Sequence, residues 1–307
     1  MAASEELLSG KVIRVDSGAS QVDTPSGVVR CVVRGRLTET RTQDKRLLAV
    51  GDEVRIRLLG AGSGAIEEIL PRRNKLSRRA VGRDRREQVV AANVDQVVIV
   101  TSLGEPPLNL NLVDRYLVAA DSGGLGALIC INKTDLGDRG PAEAFLVPYE
   151  TMGYPVVWTS ARTGDGIGEL KAGLAGRTSV MAGASGAGKS ALLNAVDPGL
   201  QLRSGEVSAA TGKGRHTTTF SSLLPLPGGG YVIDTPGIRE YTLWEVDPVD
   251  LDRHFPEINV IKKGCRFANC THSHEPDCAV KAASTAGKMD RRRYESYLRI
   301  LEGLDEE

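Results

Sequence analysis

Gly183-Ala184-Ser185-Gly186-Ala187-Gly188-Lys189-Ser190 fits the pattern G-x-x-x-x-G-K-[ST]. An apolar run, 179–182, precedes it, and a segment with helical periodicity, Lys189–Val196, follows. Strand, glycine-rich turn and helix in that order make a phosphate-binding loop, because the glycines let backbone N–H groups turn inward and the helix N-terminus adds its dipole. The backbone from Gly183 through Ala191 is the expected phosphate contact. Lys189 is expected to reach the β- and γ-phosphates and the Ser190 hydroxyl to ligate magnesium. A glycine-rich turn carrying a surface lysine is the bland alternative, and a full match in this context argues against it.

Two further motifs flank this loop. Asp234-Thr235-Pro236-Gly237 closes the apolar run 231–233. An acid at a strand end can approach magnesium, and Gly237 has no side chain to keep its amide from a γ-phosphate. Asn132-Lys133-Thr134-Asp135 closes the run 127–131. A carboxylate there can accept from guanine N1–H and from the exocyclic amine, a donor pair that adenine does not offer. Ser160 and Ala161 end a further run, 156–159, where backbone can contact the guanine carbonyl. Each motif alone could be a polar turn; together they describe a GTP site.

The surrounding pattern is α/β. Short apolar runs at 97–101, 127–131, 156–159, 179–182 and 231–233 alternate with helical stretches at 112–120, 142–151, Ile167–Leu174 and Lys189–Val196. Such alternation predicts a doubly wound, mostly parallel sheet with helices on both faces. Residues 10–70 differ: short β-rich runs at 11–15, 28–33, 53–59 and 65–70 predict a small barrel or sandwich. A basic segment, 72–86, reads as a linker or domain edge. After about residue 245 the strands stop, and a charged helical tail runs from Ala279. The expected units are 1–82, 83–245 and 246–307.

Five cysteines are present, three of them between Cys265 and Cys278. Cys265, Cys270, His272 and Cys278 form C-x4-C-x-H-x5-C, and three thiolates with one imidazole make a closed tetrahedral set for structural zinc. His274 offers a competing nitrogen. Cys31 and Cys130 sit in apolar runs and are expected to be buried and inert.

The order of the motifs is diagnostic. In translation-factor-class GTPases the phosphate loop comes first and the base-reading motifs last; here the base-reading segments 132–135 and 160–161 precede the phosphate loop 183–190 and D-T-P-G. Together with the β-rich start and the cysteine cluster, this circular permutation resembles the ribosome small-subunit-dependent GTPase A (RsgA-type) family over nearly the whole chain. The resemblance implies an OB-like barrel at the N-terminus, hydrolysis of GTP stimulated by the small ribosomal subunit during its late assembly, contact with its rRNA, and His272 rather than His274 as the zinc ligand. Permutation also sends the segment after D-T-P-G straight into the C-terminal unit, so a nucleotide-dependent switch would pull on it.

Many GTPases place Gln directly after the D-x-x-G glycine; here it is Ile238, which cannot orient water. The family likeness assigns that role to His216 in Gly214-Arg215-His216-Thr217-Thr218-Thr219, leaving open that the ribosome positions the water instead. One threonine of this loop is expected on magnesium, Thr218 by alignment with related switch motifs. Potassium-dependent relatives carry Asn where Gly186 stands, so no potassium site is carried over. An RNA-docking module that uses GTP as a conformational ligand remains the alternative to an enzyme. An adenine-nucleotide ATPase or kinase leaves Asn132 and Asp135 unexplained.

With 39 basic and 39 acidic residues the net charge is zero, so only local basic runs, 72–86 and 288–293, could meet RNA phosphates. No apolar run approaches the roughly 20 residues that span a bilayer. Residues 1–10 hold two acids and no basic residue, unlike a signal peptide. A cytoplasmic monomer is the expectation.

Overall fold

The computed structural model describes residues 7–16, 18–34, 48–60, 62–79, 87–202, 222–234 and 246–305, with backbone alone at 77–79, 87, 88, 234 and 305. Five strands come first: β1 (Leu8–Val15), β2 (Ser20–Thr24), β3 (Gly27–Val33), β4 (Glu53–Gly60) and β5 (Ser63–Ile69). They pair in the order β1-β2-β3-β5-β4, and β4 returns to β1 to close a barrel. The β3–β5 pairing is parallel and the others are antiparallel. Alternation along each strand sends Val12, Val22, Val29, Cys31, Val54, Ile56 and Ile66 into the interior. The barrel expected from the sequence is therefore present, with one strand more than its apolar runs indicate. β2 reads Ser-Gln-Val-Asp-Thr, and its buried positions include Ser20 and Thr24. Polar residues on the inner face hide the apolar alternation.

The described start of the basic segment is structured: β6 (Lys75–Arg79) pairs antiparallel with β7 (Glu87–Ala92). Arg72 grips the buried Asp52 carboxylate with Nε at 2.7 Å and Nη2 at 3.0 Å. Arg73 pairs with Asp95 at 2.9 Å. These two arginines fasten the strand pair to its neighbours within the chain.

A second set of strands follows: β8 (Gln96–Ser102), β9 (Gly126–Asn132), β10 (Val156–Trp158), β11 (Thr178–Ala182), β12 (Ser222–Pro225) and β13 (Tyr231–Asp234). Their order is β10-β9-β8-β11-β13-β12, all parallel except β12 against β13. Every residue of β8 is buried, so its side chains serve two cores. Val97 and Ile99 pack with helices α1 (Leu110–Ser122) and α2 (Arg139–Thr151). Val98 and Val100 pack with α3 (Ile167–Leu174) and α4 (Lys189–Val196) on the other side. This is the doubly wound sheet that the alternating runs predict. β12 was not legible because it is four residues long and ends on Pro225. It pairs with β1 through Arg14 and Ser222, so barrel and nucleotide sheet form one continuous eleven-stranded sheet.

The C-terminal part holds a 3₁₀ turn, Pro248–His254, then α5 (Pro256–Ile261), α6 (Ala279–Thr285) and α7 (Arg291–Asp305). Phe255, Val280, Tyr297 and Ile300 join the same core as α1 and α2. The Phe255 and Tyr297 rings meet edge to face at 5.4 Å. At the centre of this interface Arg293, 3% exposed, pairs with Asp114, 1% exposed, and with Glu257 at 2.8 Å. The basic run 288–293 is thus not uniformly available to phosphates: Arg293 is core, and Arg292 pairs with Asp290 at 2.9 Å. Among the described residues no helix is long and apolar enough to cross a membrane.

Candidate functional site

The phosphate loop leaves β11 at the carboxyl edge of the parallel sheet and enters α4. Gly183 lies at φ 132°, and a Cβ there would stand 2.0 Å from the Val100 carbonyl oxygen of the neighbouring strand. Gly188 lies at φ 95°, with the Asn132 amide nitrogen 2.2 Å from where its Cβ would be. Glycine is required at both on conformation and on space. Lys189 donates from Nζ to the carbonyls of Gly183 at 2.7 Å and Ala184 at 3.0 Å. Helix α4 has no side-chain cap and no acid in its own first turn, so none of its first-turn side chains competes with an anion for the free N–H groups.

The base-reading segments come to this loop from β9 and β10. Asn132, 1% exposed, is the joint. Its Nδ2 donates to Ala187 O at 2.9 Å, while its Oδ1 accepts from Ala161 N at 3.2 Å and from Thr159 Oγ1 at 3.4 Å. Lys133 adopts φ 58° and donates to the Glu105 carbonyl. Asp135 accepts from the Ser160 hydroxyl at 2.5 Å on Oδ1 and from Arg162 Nε at 2.7 Å on Oδ2. The Ser160 hydrogen bond, then Arg162, holds the Asp135 carboxyl below the usual carboxylate range.

The structure therefore assembles Asn132, Lys133, Asp135, Ser160, Ala161 and the whole 183–191 loop at one sheet edge. Asp234 is the last residue of β13, one past the Val180–Ile233 pair, and so lies at that same edge. His216, Thr218 and Gly237 lie outside the described residues. Two contributors went unread in the sequence. Glu105 acts through its carbonyl, which leaves no side-chain signal. Arg162 follows Ser160-Ala161 directly, and its position was the available clue.

In the C-terminal part, the donor atoms of Cys265, Cys270, His272 and Cys278 lie within 4.8 Å of one another, a possible metal site. Cys265 and Cys278 sulfurs are 3.9 Å apart, and His272 Nδ1 stands 3.6 and 3.5 Å from them. His274 is exposed and bonds to Ser273 instead. His272 Nε2 faces Asp252 Oδ2 at 3.4 Å, and Lys262 pairs with that aspartate at 2.8 Å. Tyr294 and Tyr297 donate to the carbonyls of His272 and Thr271 at 2.7 and 2.8 Å, anchoring the cysteine loop to α7. Burial, reinforced by the neighbouring thiols, pushes the Cys270 thiol up to about 12. Away from this cluster Cys31 and Cys130 are buried, and desolvation pushes the Cys130 thiol up to about 12, in keeping with inert core residues.

A parallel mononucleotide sheet whose base-side strands precede its phosphate loop defines a circularly permuted P-loop GTPase. The RsgA GTPase family model matches residues 69–244. The small ribosomal subunit biogenesis GTPase RsgA of Chlorobaculum parvum is 44% identical, with 98% of this chain and 99% of the relative covered. The crystal structure of YjeQ from Thermotoga maritima superposes with a TM-score of 0.79 at 36% identity, covering 97% of this chain and 99% of that one. The structure of YloQ, a circularly permuted GTPase, gives 0.76 at 30% identity, covering 100% and 98%. The chain belongs to the RsgA GTPase family.

Proposed function

We propose that this chain hydrolyses GTP in late assembly of the small ribosomal subunit, in the cytoplasm and in contact with subunit rRNA. The observation that carries the nucleotide part is the Asn132–Ala187 hydrogen bond, which holds base-side and phosphate-side segments in one unit. The role in subunit biogenesis comes from the relatives' names. Asp135 reads the guanine edge. Loop amides from Gly183 to Ala191 and the Lys189 ammonium stabilise charge on the transferring phosphoryl group. Ser190, Asp234 and Thr218 hold magnesium, which supplies further charge neutralisation when bound. His216 places the attacking water.

The cysteine cluster is proposed to hold structural zinc. Tetrahedral geometry with Zn–S near 2.3 Å and Zn–N near 2.0 Å sets S···S at about 3.8 Å and N···S at about 3.5 Å. The 3.9, 3.6 and 3.5 Å separations support that ion. The division into 1–82, 83–245 and 246–307 is retained, supported by barrel closure through β1–β4 and by the break from strands to helices after β13.

Ile238 after the D-x-x-G glycine favours slow unstimulated turnover and keeps a second reading, an RNA-docking module with GTP as conformational ligand. Turnover of the wild type, Ser190→Ala and His216→Ala, each with and without small subunits, separates the two. The enzyme reading expects subunit-stimulated turnover that both substitutions abolish. Wild-type turnover that subunits leave unchanged refutes it, and full stimulated turnover by His216→Ala removes the histidine's role.

A further inference from the structure

We infer that Arg162 guards the outward oxygen of Asp135 and must be turned aside by guanine, so that it sets how strongly the site separates guanine from hypoxanthine. The inference rests on reading 132–135 and 160–161 as the base-recognition segments.

An ionised carboxylate oxygen accepts about two hydrogen bonds. On Asp135 the inner oxygen, Oδ1, takes the hydroxyl of Ser160, which is fully buried and itself held by the Thr163 amide at 3.1 Å. That leaves Oδ1 one acceptor direction. The outer oxygen, Oδ2, faces Arg162 Nε at 2.7 Å and Nη2 at 2.7 Å, so one guanidinium occupies both of its directions. The Asp135 side chain is only 9% exposed although it stands at the sheet edge, while Arg162 is 70% exposed.

Guanine presents N1–H and an exocyclic amine side by side, and two parallel donors call for both carboxylate oxygens. Hypoxanthine presents N1–H alone, which the remaining direction on Oδ1 can satisfy with Arg162 in place. Guanine therefore displaces Arg162 and hypoxanthine does not. The displaced guanidinium swings into water, so the opposing effect is that of an exposed ion pair, about two- to five-fold in affinity and weakened by salt.

The test is calorimetric titration of the full chain, wild type and Arg162→Ala, with GDP, IDP and ADP at about 0.05 M and about 0.5 M salt, either side of the roughly 10 Å screening length at 0.1 M. The expected result is GDP bound about two- to five-fold more tightly by Arg162→Ala at low salt, with a smaller gain at high salt and IDP unchanged, so the GDP-to-IDP preference rises. Weaker GDP binding by the variant, or equal shifts for GDP and IDP, overturns the guard. Wild type that does not prefer GDP to ADP overturns the base-site reading itself, a separate outcome.

Discussion

Asn132 donates from Nδ2 to the Ala187 carbonyl at 2.9 Å, tying the end of β9 to the phosphate loop across 55 positions of sequence. Its Oδ1 is satisfied at the same time by Ala161 N and Thr159 Oγ1. The residue that the motif marks as part of base recognition thus works as a bracket between the two halves of the site. Asn132→Asp replaces the donor with a buried carboxylate facing a carbonyl oxygen. Loss of a buried partner costs about 1–3 kcal/mol, and more for a charge. Chemical denaturation of Asn132→Asp should show a loss of about 3 kcal/mol together with loss of nucleotide binding. Asp135→Asn, which breaks no such bracket, should lose guanine preference with little change in unfolding midpoint.

Asp135 also carries a prediction in pH. Its carboxyl is held below the usual range by the Ser160 hydroxyl first and Arg162 second. A group whose folded pKa is depressed keeps its charge above that pKa and loses it only as pH falls through it. The preference for GDP over ADP should therefore stay flat from about pH 8 down to about pH 5, because an ordinary aspartate already titrates near 3.9. A midpoint near neutral pH in the ratio of GDP to ADP affinity, in which the phosphate ionisation common to both nucleotides cancels, would contradict this when measured by titration calorimetry.

How far the sequence carried the site can be traced residue by residue. The phosphate loop was legible because Gly183, Gly188 and Lys189 answer to local chemistry, and φ 132° and 95° at the glycines bear that out. The sheet was legible because fully buried parallel strands write themselves as unbroken apolar runs. β2 and β12 were not, since Ser20 and Thr24 are buried polar residues and β12 is short. Arg293 reads in the sequence as part of a basic run that could meet RNA phosphates, and the fold buries it instead. Nothing local marks an arginine whose partner, Asp114, lies 179 positions away. Asp252 was missed for the same reason, since its contact with His272 is made only by the fold.

That contact gives a prediction for the metal cluster. With Nδ1 turned toward the cysteine sulfurs, His272 has Nε2 left to donate to Asp252, which fixes both tautomer and ring orientation. Removing an acceptor of this kind lowers metal affinity about 10- to 100-fold. Asp252→Ala should lose zinc to a chelator at that much lower chelator strength, while Asp252→Asn, which keeps an acceptor oxygen, should lose less. Stripping the metal from wild type should open the 265–278 loop first, because among the described residues its hydrogen bonds to α7 come from the Tyr294 and Tyr297 hydroxyls. Equal chelator sensitivity in wild type and Asp252→Ala would remove the aspartate from the metal site's support.

Arg293 locks the C-terminal helices to the nucleotide sheet. Beyond Asp114 and Glu257 it stacks against the Phe255 ring at 4.6 Å and the Tyr149 ring at 5.0 Å. The Tyr149 hydroxyl donates to Asp114 at 2.7 Å, and burial is offset by Asp114 and Glu257, which raise the arginine's affinity for its proton. Removing one member of such a pair leaves the other charge buried and unpaired, a cost of about 3–5 kcal/mol, whereas replacing both with apolar residues of similar size can be neutral. Arg293→Met should be strongly destabilising in denaturant unfolding, and the double replacement with Asp114→Leu should recover much of the loss. Lysine should not substitute, because an ammonium cannot both fork onto Glu257 and lie flat on two rings. The location of the loss is the sharper test. Asp114 sits on α1, which follows the loop whose Glu105 carbonyl takes Lys133. If the pair fastens one unit to the other, hydrogen exchange in Arg293→Met should rise across α5, α6 and α7 while β8, β9 and β11 keep their protection. Uniform loss of protection would instead make the pair part of a single cooperative core.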